Sequence, residues 1–395
     1  MNAFGIVGGL FLAAFYVVAA FYTGKRLYNW FAYIFRKMNA KAFAVVYIIL
    51  VALAMAALVP MTFPIASSSY ALRLVGGYLT GILMYVFMFL ALADIIIIGV
   101  KAVKLVSGES LQKVRFYAGT AAIFVAIIVV IYGVYNATQF TIVTYEVQLQ
   151  RDLDGEMNIV FISDLHLGEV RSERGLQRIV EYINSLNPDI VCLVGDIFND
   201  DFYAIRDPER ASRLIGSINA NFGVFACLGN HDTGRTLGSM KNFLEESGVQ
   251  LLIDEHVIID DRLVLIGRLD ALPPWMADDG FGGLKRGDFS YIMATAQADL
   301  VQRGLSTNLP VVVIDHNPTH INEYGSDVDL ALFGHTHSGG LFPVNIFIRA
   351  LFVVSHGHYQ RDSQSPHIIV TQGVHGWSIP MRVGTNNEIV RVLVE

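Results

Sequence analysis

Four residues at the end of an apolar run, Gly229-Asn230-His231-Asp232, put an amide oxygen, an imidazole and a carboxylate into one tight turn. Similar short sets recur along the same half of the chain: Asp164-x-His166, Gly195-Asp196, a lone His316 inside Asp315-His316-Asn317-Pro318, and Gly334-His335-x-His337. Carboxylates, imidazoles and an amide oxygen are donors for borderline-hard divalent cations such as Mn, Fe and Zn. Each short motif alone is common, and a solitary His at a strand end is more often structural. Five of them, each after an apolar strand-like run, form a constellation with one shared chemistry.

The elements that must position these residues follow from periodicity. Phe140–Gln150 alternates, with Thr141, Val143, Tyr145, Val147 and Leu149 on one face, and reads as a strand. Asn158–Ser163, Asp189–Val194 and Phe222–Leu228 read as buried strands, each followed by a metal-type motif. Between them, Ser172–Leu186 carries Leu176, Ile179, Val180, Ile183 and Leu186 on one helical face, and Asp207-Pro208 has the N-cap and first-position chemistry of a helix start. Further strands are expected at Arg262–Gly267, Leu309–Ile314 and Val328–Phe333, then Phe352–Ser355, His367–Thr371 and Glu388–Val394. Strand–helix repeats with polar residues at the strand ends predict an α/β fold whose ligands gather beyond those ends. A sandwich of two sheets flanked by helices fits the count.

The first third is different. The chain is 53% hydrophobic and 16% charged, but residues 1–136 carry ten Lys/Arg against only Asp94 and Glu109, while the rest carries 18 Lys/Arg against 33 acids. Four stretches meet the roughly 20-residue requirement for a membrane span: Ala3–Tyr22, Ala42–Thr62, Leu74–Val100 and Phe116–Tyr135. The first has no basic residue before it and more spans follow, unlike a cleavable signal peptide. Basic residues gather in the first connection (Lys25, Arg26, Arg36, Lys37, Lys41) and the third (Lys101, Lys104, Lys113, Arg115), against Arg73 alone in the second. The positive-inside rule makes those connections cytoplasmic and everything after Tyr135 extracytoplasmic. Asp94, inside the third span, is either a functional acid or one reaching interfacial water. Leu27–Phe35, aromatic and flanked by bases, suits an interfacial helix, with anchoring or lipid binding as its role. The acidic remainder argues against nucleic acid as a partner. Cys192 and Cys227, each in a core-strand run, read as buried thiols.

Taken in order, the five motifs, with Ser163-Asp164-Leu165-His166-Leu167-Gly168 and the ending 379–394 (IPMRVGTNNEIVRVLV), resemble the signature blocks of the calcineurin-like metallophosphoesterases. The likeness covers about residues 140–395, and the ending is similar to that of membrane-anchored members. It implies 137–395 as the metallophosphoesterase domain; the anchor is not part of the signature, and residues 1–136 are read as a four-span anchor from the apolar stretches above. It implies two divalent ions, one held by Asp164, His166, Asp196 and His337 and the other by Asp196, Asn230, His316 and His335, with Asp196 bridging. It implies phosphomonoester or phosphodiester hydrolysis by metal-activated hydroxide, with His231 serving the leaving-group oxygen and Asp232 orienting it. A membrane-proximal phosphorylated small molecule or lipid is the expected substrate. Two other readings stand beside it: a pyrophosphatase of nucleotide-activated lipid precursors (UDP-diacylglucosamine type), and a non-enzymatic membrane sensor of metal or phosphate. His356, His358 and His375 lie in segments that approach the cleft in this family. His375 and Gly339 are the candidate substrate contacts, although Val374-His375-Gly376-Trp377 departs from the small residues usual there. Asp270–Asp288, with Pro273-Pro274-Trp275, reads as a mobile rim. His256, His320 and His367 read as structural.

Overall fold

A computed structural model describes residues 3–58, 70–104, 109–168, 172–271 and 281–395. The chain divides into two compact units, Met1–Asn136 with Ser378–Met381, and Ala137–Trp377 with Arg382–Glu395.

The first unit is helical: α1 (Ala3–Ile34), α2 (Ala40–Leu58), α3 (Tyr70–Ala102) and α4 (Glu109–Asn136). Four spans are expected; among the described residues two helices are long and apolar enough to cross a membrane, Tyr70–Ala102 and Ser110–Asn136, while Ala40–Met55 is a shorter apolar helix. The expected second span is helical as far as Leu58 in α2; Val59–Thr62 lie outside the described residues. The expected first connection is also corrected. Lys25, Arg26 and the aromatic stretch from Leu27 to Ile34 continue α1 without a break, because no Pro or Gly pair interrupts them.

The second unit opens with β1 (Phe140–Val147), β2 (Met157–Ile162), α5 (Ser172–Ser185), β3 (Ile190–Val194), α6 (Pro208–Ile215), β4 (Val224–Cys227), α7 (Leu237–Glu246) and β5 (Val249–Leu251). It continues with β6 (Glu255–Ile259), β7 (Leu263–Gly267), α8 (Phe289–Arg303), β8 (Val311–Ile314), β9 (Leu330–Phe333), α9 (Val344–Leu351), β10 (Gly357–Tyr359), β11 (His367–Val370) and β12 (Asn387–Val394). Two six-stranded sheets result, ordered β1-β12-β2-β3-β4-β5 and β10-β11-β9-β8-β7-β6. The runs β2-β3-β4-β5 and β7-β8-β9-β11 are parallel. The expected two-sheet α/β sandwich is what forms.

Burial on both faces explains the continuous apolar strands. In β2, Ile159 and Phe161 point into the layer between the sheets, with Cys192, Cys227, Leu265 and Ile314. Val160 and Ile162 face the outer layer with Leu176 and Ile179 of α5 and Met240 and Phe243 of α7. Both cysteines are free and buried, and burial pushes the Cys192 thiol up to about 12. Asp207 caps α6 by accepting from the Arg210 amide, with Pro208 in the first turn. One expected strand does not form: after α9, Phe352 caps the helix and Val353–Ser355 is irregular, so the next strand is β10.

Candidate metal centre

Five connections bring the motifs together, each leaving the C-terminal end of a parallel strand: β2 delivers Asp164 and His166, β3 Asp196, β4 Asn230 and His231, β8 His316, and β9 His335 and His337. Both sheets therefore contribute to one site. Two groups form, Asp164–His166–His337 and Asp196–His316–His335, and within each the ligand-type atoms lie within 4.8 Å of one another. His166 Nε2 and His337 Nε2 face each other at 3.2 Å, and Asp164 Oδ1 is 3.3 Å from His337 Nε2. Asp196 Oδ2 lies 3.0 Å from His316 Nε2 and 3.9 Å from His166 Nε2, so one oxygen faces both groups. Its other oxygen, Oδ1, accepts from the His231 amide at 2.8 Å.

The backbone is bent to achieve this. Asp164 (φ 59°), His166 (47°), Asp196 (49°), His335 (70°) and His337 (47°) all adopt the left-handed conformation. For a residue with a side chain each such turn costs on the order of 1 kcal/mol or more, and clusters of them mark functional sites. Close packing fixes Gly229, because a Cβ there would collide with Asp196.

The donor set fits divalent ions by three observations. Among the described residues, Asp164 Oδ1 and Asn230 Oδ1 are buried with no hydrogen-bond partner, which is costly unless something else binds them, and His316 Nε2 faces Asp196 Oδ2. Burial holds His166, His335 and His337 well toward the neutral, ligating form, with His335 down at about 4. His316 goes the other way: burial opposes the cation, but Asp196 beside it outweighs burial and raises its pKa. That proton is on the atom a metal would take. The Val194 carbonyl accepts from His316 Nδ1 at 2.9 Å, which aims Nε2 at the cluster.

The expected partner of His231 is corrected. Asp232 is buried and committed to the backbone, accepting from the amides of Gly229, Ile197 and Phe198 at 2.9, 3.2 and 2.7 Å. It staples the β4 turn to the β3 turn. Asp200 takes the orienting position, accepting from His231 Nδ1 at 2.8 Å. Burial lowers the His231 pKa, but Asp196 and Asp200 outweigh it and hold it up at about 9.

Two expected substrate contacts have packing duties. The ring of His375 packs edge-on against Phe140 at 5.9 Å, and a Cβ on Gly175 of α5 would lie 2.8 Å from it. Gly339 (φ 81°) lets its turn meet α9, where a Cβ would stand 2.7 Å from the Asn345 backbone. His356 lies 3.4 Å from Ser338 Oγ, and His358 pairs with His367 at 2.8 Å. His256 faces Asp299 and His320 faces Glu323. The expected rim is anchored where it is described, since Arg286 donates to both oxygens of Asp315 and to Glu323. Pro273, Pro274 and Trp275 lie outside the described residues.

The motifs do not single out four further residues. Asp200 hides in the acidic run after the β3 motif. Trp377, in the segment that departs from the family pattern, flanks His231 with ring centroids 5.1 Å apart. Arg382, fully buried, donates to the carbonyls of His337, Gln372 and His375 and so ties two site loops together. Asp270 is buried, and burial raises its pKa to about 6.

A layered α/β domain with oxygen and nitrogen donors converging beyond its strand ends defines a metal-binding domain of the phosphoesterase type. Residues 157–339 match the calcineurin-like phosphoesterase family, a likeness that metallophosphoesterase relatives share. It is 27% identical to a Danio rerio transmembrane protein with metallophosphoesterase domain, over 73% of this chain and 65% of that one. It is 27% identical to an uncharacterized metallophosphoesterase of Aquifex aeolicus, over 69% of this chain and 98% of that one. It is 26% identical to the UDP-2,3-diacylglucosamine pyrophosphatase LpxG of Chlamydia trachomatis, over 46% of this chain and 63% of that one. The chain thus spans just under two thirds of the length of the Danio rerio relative.

Proposed function

We propose that residues 137–395 hydrolyse phosphomonoester or phosphodiester bonds with two divalent ions, and that residues 1–136 anchor them in a membrane. The carrying observation is the sharing of Asp196 Oδ2 between two groups, with Asp164 Oδ1 and Asn230 Oδ1 buried beside it and unpaired among the described residues. Asp164, His166, Asp196 and His337 would hold one ion, and Asp196, Asn230, His316 and His335 the other. When bound, such a pair supplies charge neutralisation at the phosphoryl oxygens and activation of water. His231, kept protonated by Asp200, donates to the leaving-group oxygen. Asp232 fixes the turn that carries His231, and Trp377 walls it from the side. Manganese, iron and zinc all suit the donors.

The test is hydrolysis of p-nitrophenyl phosphate and of bis(p-nitrophenyl) phosphate by chelated protein, with Mn, Fe or Zn returned. Turnover restored by metal is the expected result. A metal-loaded protein that turns over neither ester nor any lipid phosphoester favours the sensor reading.

The side of the membrane rests on the connection between the two span-length helices. Lys101, Lys104, Lys113 and Arg115 cluster at that connection, against Arg73 at the opposite end of α3. That bias makes the connection cytoplasmic and the hydrolase extracytoplasmic. Protease protection of residues 137–395 in sealed cytosol-side-in vesicles would contradict it.

A lipid phosphoester is the favoured substrate class because of α9. This helix begins at Val344, shortly after the turn that carries His335, His337 and Gly339. It exposes Ile346 (56%), Phe347 (66%) and Leu351 (76%) to solvent. Such an apolar face next to a polar site suits the acyl chains of an amphiphile. The name of the Chlamydia trachomatis relative supports a lipid-linked substrate, but its nucleotide-activated precursor is a cytosolic type of molecule and fits the proposed side poorly. Phe347→Glu with Leu351→Glu is expected to cut hydrolysis of a micellar lipid phosphoester about tenfold while sparing the p-nitrophenyl esters. Equal loss on both would remove the lipid assignment.

A further inference from the structure

The helical unit contains a polar cavity that phosphoester hydrolysis does not use. Parts of α1, α3 and α4 enclose about 750 Å³, with Lys25, Arg26, Trp30, Asp94, Arg115 and Phe116 in its lining. Three cations face one acid. Asp94 is already committed: Oδ2 accepts from the Tyr22 hydroxyl at 2.7 Å and pairs with Arg26 Nε at 2.9 Å. Asp94 therefore holds the Arg26 guanidinium in place through Nε, while Arg26 Nη2 is buried with no hydrogen-bond partner among the described residues.

The other wall is aromatic. Phe116 stacks on Tyr33 at 4.3 Å and on Trp30 at 6.3 Å, and the indole N–H of Trp30 is used up on Thr120 Oγ1 at 2.8 Å. These rings offer apolar surface, to which Tyr33 adds a hydroxyl. A cationic ligand would be repelled by the two uncompensated charges. A neutral apolar ligand would leave Arg26 Nη2 unpaired, which costs stability in a buried setting. An anion with several acceptor oxygens answers both the charge and the donor, and guanidinium groups favour phosphate for its matching geometry.

We propose that this cavity binds a phosphate group, carried by an anionic phospholipid or free in solution, with Arg26, Lys25 and Arg115 as its donors. It is a site separate in residues and in chemistry from the metal centre, and it does not depend on the hydrolase reading. Basic cavities between membrane helices bind anionic headgroups by this combination of charge and apolar wall.

The experiment is native mass spectrometry of the full-length, delipidated protein in detergent, titrated with phosphatidic acid, with phosphatidylcholine, and with inorganic phosphate as a competitor. Phosphatidic acid is expected to bind at least about tenfold more tightly than phosphatidylcholine. Lys25→Gln with Arg115→Gln leaves the Arg26–Asp94 pair intact and is expected to weaken phosphatidic acid about 30-fold, with p-nitrophenyl ester hydrolysis unchanged as the check on folding. Arg26→Leu with Asp94→Leu removes the guanidinium without stranding a charge and is expected to weaken it as well. Displacement of the lipid by inorganic phosphate assigns the site to free phosphate, and failure to displace it assigns the site to the headgroup; both support a phosphate site. Equal retention of phosphatidic acid and phosphatidylcholine, or undiminished binding by both double variants, overturns it.

Discussion

The two units treat buried polarity in opposite ways. In the α/β unit, Asp164 and Asn230 converge with His316 at the strand ends and carry buried oxygens that no described protein group satisfies, on a backbone bent into the left-handed region at five positions. In the helical unit the polar groups mostly answer one another: Tyr22 and Arg26 take Asp94, and Trp30 takes Thr120. Paired groups hold helices together. Unpaired donors held in strained positions by a rigid scaffold are waiting for a ligand, because the fold alone gives them nothing in return. Arg26 Nη2 departs from that pattern of pairing.

Removing the shared carboxylate strikes this contrast hardest. Asp196→Asn keeps the acceptor for the His231 amide but takes away the anionic oxygen that faces both groups. Hydrolysis is expected to fall to background, and metal content to drop below two ions per chain. An active Asn variant would mean that the two groups do not act as one centre. His231→Gln is the next largest: kcat is expected to fall about 100-fold or more with metal content unchanged, as for loss of a general acid. Loss of metal in that variant would make His231 part of the donor set.

Asp200→Asn sharpens the assignment of the orienting carboxylate. The Asp200 carboxylate, 2.8 Å from Nδ1, favours the protonated His231, so the donor is lost as pH rises through its raised pKa. Without the Asp200 charge the His231 pKa falls, and the basic limb of the kcat profile moves to lower pH, with roughly tenfold loss at pH 8. A basic limb that stays in place would return the role to another group. The smallest effect belongs to the helical unit: Asp94→Asn leaves ester hydrolysis unchanged and tightens phosphatidic acid binding about fivefold, because one negative charge is gone from the cavity. Weaker binding would show that Asp94 acts mainly by holding Arg26.

Much of the centre was legible in the sequence because its donors sit in local motifs. Asp164-x-His166 and His335-x-His337 each place two side chains on one turn after a buried strand, and strand runs such as NIVFI and DIVCLV are unambiguous when both sheet faces are covered. Partnerships formed across turns were not legible. Asp232 is adjacent to His231 in sequence, yet its carboxylate reaches the amides of Ile197 and Phe198, and it is Asp200, 31 residues away, that meets the imidazole. Arg382 reads as one base in an apolar tail, and its service to His337 and His375 exists only once the chain has folded. The helix α9 is short and apolar, and periodicity alone does not separate such a run from a strand. At the other end, charge at Lys25 and Arg26 suggested a connection, whereas the uninterrupted helix-forming run carries α1 through both.

The most direct test of the central claim is to count metal and activity together. Chelated protein would be titrated with Mn or Zn, with bound metal measured by plasma mass spectrometry and bis(p-nitrophenyl) phosphate hydrolysis followed on the same samples. The expected result is activity that rises with metal and levels off at two ions per chain in the wild type, with neither plateau reached by Asp196→Asn. Hydrolysis that survives complete chelation, or two ions bound equally well by Asp196→Asn, would contradict a shared two-metal centre.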